Sequence, residues 1–232
     1  MKIFGIVVLA IVVVIAFGLG WFNTTVSWNQ KLTVTVETPQ GVVSASSVTS
    51  VFMKGKDGFL VPPEASGLAS SLKGEAVAVD LGKGKYLFVL LKGTMGIAGK
   101  IFLKESGWNQ PHGKWPKWAE NIARLRGKRE IPIDLLPMLV TFSDITRPAS
   151  VKKVNPNNLR ESFGSGYRLK SMTLEITDEP VTKGVVEGVL GWIYTVKGRI
   201  KPYAGRTRAL ADVPEVELLN KYDFVIKKSR IQ

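Results

Sequence analysis

Ser70-Ser71-Leu72-Lys73 has the SxxK spacing, at which a lysine one helical turn beyond a serine takes the hydroxyl proton and makes the oxygen a nucleophile. The elements that complete such a site are missing. Ser143-Asp144 is followed by Ile145 where an SDN element needs asparagine, Lys92-Gly93-Thr94 departs from the order of KTG, and a second SxxK recurs at Ser150 to Lys153. The serines are therefore expected in a loop or short helix without a catalytic duty. Carboxylates at Asp144 and at Asp178-Glu179 offer acid and base chemistry, but each stands among turn-forming residues, the usual setting of a capping aspartate. Gly82-Lys83-Gly84 lacks the third glycine of a dinucleotide loop and Gly99-Lys100 is followed by Ile101, so both read as turns. With no cysteine and a single histidine, His112, thiolate chemistry, disulfides and two-imidazole metal sites are excluded. No catalytic residue, cofactor or metal site is expected.

The strongest physical signal is a segment that mixes tryptophan with basic residues. From Lys114 to Glu130, six bases (Lys114, Lys117, Arg124, Arg126, Lys128 and Arg129) stand against two acids, Glu120 and Glu130. Trp115, Trp118, Ile122 and Leu125 recur at spacings of three, four and three, which describes one face of a helix, with Pro116 tolerated in its first turn. Such a helix has two uses. Its rings enter a headgroup boundary while the cations meet anionic lipid, or its apolar stripe packs against a sheet and leaves the cations in water. Lys114, Trp115, Lys117, Trp118, Arg124, Arg126, Lys128 and Arg129 are accordingly the candidate contact with an anionic surface.

What brings an anionic surface within reach is the start of the chain. Residues 3–22 form an uncharged run of Ile, Val, Leu, Phe, Ala and Gly. As a helix, at about 1.5 Å per residue, they span roughly 30 Å, the thickness of a bilayer's hydrocarbon core. Trp21, Phe22 and Trp28 follow at its C-terminal edge, where amphipathic rings favour the headgroup layer. A cleavable signal peptide has a shorter apolar region, of about 7 to 15 residues, so a retained single-pass anchor is expected over residues 1–30. Lys2 on one side of the span places the N-terminus in the cytoplasm and residues 31–232 outside, in the periplasm. Lys2 is also the one charged side chain before residue 31, so of the net charge of +13 all but one unit, +12, belongs to residues 31–232. That sign favours acidic partners.

The elements of residues 31–232 are read from period and punctuation. Lys31 to Glu37 alternates as a strand, Thr38-Pro39-Gln40-Gly41 is a turn, and Val42 to Phe52 resumes as a second strand. A second hairpin joins Glu75–Leu81 to Lys85–Leu91, with residues 61–63 and 66–71 as connecting loop, and the four strands suggest one antiparallel sheet. The aromatic-basic helix covers 115–126 and ends at Lys128-Arg129-Glu130. Met138 to Phe142 is a strand, Asp144 to Ser150 a loop, Asn157 to Phe163 a short helix closed by Gly164, and Tyr167 to Thr177 an alternating strand. Val181 to Trp192 reads as a glycine-weakened helix, and the chain from Lys227 onward as a frayed tail. These elements make one α+β domain, mainly antiparallel sheet with two or three short helices, behind a transmembrane helix.

The segments LTVTVETPQG (32–41), LPMLVTFSDITRPASVKKVNPNNL (136–159) and LEITDEPVTKG (174–184) resemble uncharacterised bacterial membrane-anchored envelope proteins. The resemblance covers most of the tethered domain in the same order. It implies a bacterial envelope location and brings no activity. The expected function is a non-enzymatic interaction or scaffold module at the outer face of the inner membrane. Its expected partners are the bilayer through residues 3–22 and another envelope protein, an acidic headgroup surface or a wall polymer, with nucleic acid disfavoured. The alternative is an envelope hydrolase acting on wall or lipid material through a scattered serine or carboxylate site.

Overall fold

Alternating apolar and polar residues extend well beyond the seven expected to form the first strand. In a computed structural model that describes residues 23–56, 67–103, 117–201 and 213–227, they build β1 (Asn23–Thr38) and β2 (Gly41–Lys56), sixteen residues each and paired along their whole length. The turn between them is tight. Thr38 Oγ1 accepts from Gln40 N (3.2 Å) and donates to the Gly41 carbonyl (2.9 Å), and Gly41 takes a φ of +124°, open to glycine. The expected apolar span 3–22, with Trp21 and Phe22, lies outside the described residues, as do His112, Lys114 and Trp115. Among the described residues no helix is long and apolar enough to cross a membrane.

The remaining strands are β3 (Gly67–Glu75), β4 (Val77–Asp80), β5 (Tyr86–Val89), β6 (Gly127–Glu130), β7 (Leu139–Phe142), β8 (Val151–Val154), β9 (Arg168–Thr177) and β10 (Val225–Ile226). All pairings are antiparallel, in a six-stranded sheet of order β10-β3-β2-β1-β9-β6 and a four-stranded sheet of order β4-β5-β7-β8. Three short helices complete the α+β architecture: α1 (Lys117–Arg124), α2 (Leu159–Phe163) and α3 (Val185–Val189). The two hairpins expected in one sheet thus belong to two. The chain passes from the large sheet to the small one at Ala76, between β3 and β4. Just before that point Gly74 has a φ of +140° and lies so close to β2 that a Cβ would stand 2.8 Å from Thr49 Cγ2.

Two apolar layers follow from this division. One face of the large sheet (Leu32, Val34, Val36, Val51, Met172, Leu174, Ile176) packs against Val77, Val79, Leu87 and Val89 of the small sheet and against Trp118 and Ile122 of α1. The opposite face of the small sheet, with Phe88, Val140 and Phe142, packs against Val186, Leu190, Ile193, Leu219 and Phe224. Phe88 meets Phe142 (5.7 Å) and Phe224 (5.9 Å) edge to face, a favoured ring geometry. Covering on both faces explains why β5 and β7 are apolar at nearly every position.

Other expectations need correction. Residues 67–71, expected in a loop, are the first half of β3. The helix over Val181–Trp192 is cut to α3, whose start at Gly184 has a left-handed φ of +84°. Lys227 is held by Glu187 at 3.2 Å and by the face of Tyr194, and the rest of the expected frayed tail, from residue 228, lies outside the described residues.

Candidate functional site

The aromatic-basic segment divides between core and surface. Trp118 is 4% exposed and Trp28 equally so, and their rings meet edge to face at 6.1 Å. Trp28 Nε1 donates to Gln30 Oε1 (3.2 Å), and Gln30 Nε2 donates to the Thr94 carbonyl (2.9 Å). Trp28, expected at a headgroup boundary, and Trp118, expected on an anionic surface, are therefore core residues: α1 turns its stripe inward because β1 and β2 leave an apolar face for it to cover. The helix is described over Lys117–Arg124 and ends two residues short of the expected end, and the chain re-enters the sheet as β6. Of the cations, Arg124, Lys128 and Arg129 are exposed, and Arg129 stacks over Phe102 at 5.3 Å. Arg126 is engaged with Asp178, Nε at 3.0 Å and Nη2 at 2.6 Å.

The SxxK reading fails on geometry. Side chains three apart on a strand point to opposite faces, so β3 separates Ser70 from Lys73 where a helix would bring them together. Of the carboxylates expected in turns, Asp144 opens one and Asp178-Glu179 lie in the irregular stretch after β9. Asp144 Oδ1 accepts from Thr146 N (3.0 Å) and Thr146 Oγ1 (2.7 Å), and the Thr146 hydroxyl chiefly holds its carboxyl below the usual range. Glu179 pairs with Lys31 at 2.7 Å. Gly82-Lys83-Gly84 is a left-handed turn, with all three φ angles positive. No group of three or more metal-ligating side chains occurs among the described residues.

One carboxylate that the sequence did not single out is buried. Glu75, 3% exposed, accepts from Gly184 N (2.5 Å) and Val186 N (3.0 Å), the open donors at the start of α3. Its backbone carbonyl accepts from Ser47 Oγ at 2.6 Å. The bend between the two sheets and the C-terminal layer are thereby tied at one residue. Beside it Gln30, Ser47, Thr49 and Thr94 line an internal void of about 10 Å³, close to the space one water needs.

A groove of about 510 Å³ runs between Glu130–Ile133, Pro156 and Arg168–Met172, and two further open surface features flank the Lys92-Gly93 turn. On one side a groove of about 490 Å³ runs past Ile133, Leu136, Lys100 and Lys153, with Glu215 held between Lys92 (3.0 Å) and Lys153 (3.7 Å). On the other a cleft of about 380 Å³ is lined by Ser70, Ser71 and Leu72 of β3, by Leu91, Lys92 and Met95, and by Tyr222, Asp223 and Ile226. Burial pushes the Asp223 carboxyl up, against the hydrogen bond from Asn220 N at 2.8 Å. Ser71, 2% exposed, has a hydroxyl with no hydrogen-bond partner. The sequence concealed this cleft, because its members come from β3, from a turn and from the last described residues. The one local signal was Leu68 and Leu72 four apart, and the serines between them hid the period of a strand.

Comparison with protein-family models, with curated proteins and with solved structures finds no match for this chain.

Proposed function

We propose that this chain is a non-enzymatic envelope protein, tethered by residues 3–22 to the outer face of a bacterial inner membrane, whose domain binds a partner protein. The observation that carries this reading is the character of the described surface. It offers open grooves and an uncovered strand edge, features of docking surfaces, and the serine-lysine pair that suggested catalysis is divided between two faces of a strand. The tether supports it: an uncharged run of twenty residues is long enough to cross a bilayer.

The acidic headgroup surface is a further partner on this reading. The contact between Trp118 and Trp28 sets α1 against β1, and the strand register places the exposed Lys128 and Arg129 level with Lys31 and Leu32, midway along β1. A tether raises the local concentration of such cations at the bilayer, so even weak contacts count. Cell fractionation with protease protection tests the proposal. The chain is expected in the membrane fraction, released by detergent and not by 1 M salt, with its domain digested in spheroplasts. Recovery in the supernatant of broken cells, or a domain protected in intact spheroplasts, rejects it.

A further inference from the structure

The six-stranded sheet has an edge that is only partly covered. Among the described residues β10 pairs with β3 at Gly74 and Glu75 alone, and the ammonium of Lys227 is drawn to Glu187 and the Tyr194 ring. From Gly67 to Lys73, β3 is paired on one side by β2 and has no strand on the other among the described residues. An exposed strand edge is a row of backbone donors and acceptors ready to pair with an incoming strand. The cleft lies along this edge at Ser70–Leu72.

We infer that the β3 edge binds an extended, acidic segment of a partner protein as an added antiparallel strand, in line with β10. This rests on the reading of the domain as an interaction module and names its site. Three observations converge. β10 shows that the edge accepts an antiparallel strand and sets the register in which another would continue. The Ser71 hydroxyl, buried and unpartnered, lines the cleft and supplies a hydrogen-bonding group that the domain itself does not use. Charge selects the acidic segment: Lys73 and Lys54 flank the cleft on β3 and β2 with no ion pair among the described residues, whereas Lys92 in its lining is held by Glu215 and Asp223 is the one acid there. An incoming strand gains main-chain hydrogen bonds for affinity and reads the flanking cations for specificity.

The test uses the full chain in detergent micelles and three capped eight-residue peptides. One alternates valine with glutamate, one valine with lysine, and the third is the glutamate peptide with alternate amides methylated so that one edge cannot pair. Amide hydrogen exchange at Gly67–Lys73 is expected to slow at least tenfold with the glutamate peptide. The lysine peptide should bind at least tenfold more weakly and the methylated one should give no protection. Ser70→Pro should lower affinity about tenfold. Should that variant melt early, Ser71→Ala, which removes a hydroxyl bonded to nothing in the free chain, should keep Tm and lose affinity severalfold. The inference is overturned if the free chain already protects these amides as well as β1, since its own residues then fill the edge. It is equally overturned if protection rises with protein concentration alone, which marks a second copy, or if the peptide binds without protecting them. Fractionation results bear on the tether and leave this outcome untouched.

Discussion

The two edges of the large sheet are built on opposite plans. β6 is four residues long, Gly127-Lys128-Arg129-Glu130, every one exposed and three of them charged. Any strand approaching it must desolvate those charges, a common device against edge-to-edge pairing. β3 is nine residues long, and from Gly67 to Leu72 it carries glycine, alanine, serine and leucine and no charge at all. Its C-terminal end is taken by β10, and a cleft lies along its middle at Ser70–Leu72. Within one sheet, then, one edge is protected against partners and the other is left fit to receive one.

The largest change expected in this comparison comes from Gly74→Ala. The added Cβ meets β2 at 2.8 Å from Thr49 Cγ2 and 3.0 Å from Thr49 Cα, at a φ that L-residues avoid. A loss of about 2–4 kcal/mol in urea denaturation is expected, and β3 should lose amide protection before β6 does. Glu75→Ala should follow at about 2–3 kcal/mol, because it leaves the buried Val186 N without an acceptor and removes the one that Gly184 N uses. Glu75→Gln, which keeps one oxygen, should cost less, and an equal cost for the two would show that cavity formation dominates.

Removing the protection of β6 tests the other edge. Lys128→Thr with Arg129→Val should change stability by less than about 0.5 kcal/mol, as exposed positions do. It should nevertheless produce concentration-dependent association in sedimentation velocity. A monomeric double variant would mean that charge is not what keeps β6 free.

The smallest effect is one of pH at the β3 cleft. The Asp223 pKa is raised above its unfolded value, mainly by burial, so the folded state holds its proton more tightly. Its contribution to stability is full below the unfolded value, near 4, and is lost as pH rises through the raised folded value. Asp223→Asn keeps an acceptor for Asn220 N and should flatten that part of the stability profile between acid and neutral pH. An unchanged profile would place the titration elsewhere.

How much of this was legible depended on how many faces of each element are buried. β1 and β9 bury one face, so Val34 and Val36, and Met172, Leu174 and Ile176, stand out by alternation. β5 and β7 bury both, and their runs located strands without telling which sheet they join. The first half of β3 was missed because it follows Pro62-Pro63, which reads as a loop, and Ser70 and Ser71 interrupt its apolar positions. α1 was found by its stripe, yet the stripe does not say whether lipid or a sheet covers it. The answer, Trp28, lies ninety residues earlier and was itself assigned to the membrane.

By itself the sequence determined the local grammar: the uncharged run at 3–22, the first hairpin and its turn, the period of β9, the basic balance, and the absence of cysteine. These follow from short-range sterics and solvation, which operate among neighbours in the chain. Only the tertiary structure decided that Trp28 and Trp118 face each other in the core. It alone separated Ser70 from Lys73, made Glu75 a capping group for a helix more than a hundred residues away, and left most of β3 without a second partner strand among the described residues. Each of these depends on which distant segment comes to lie alongside, a choice made by burying apolar area across the whole fold and invisible to any window of sequence.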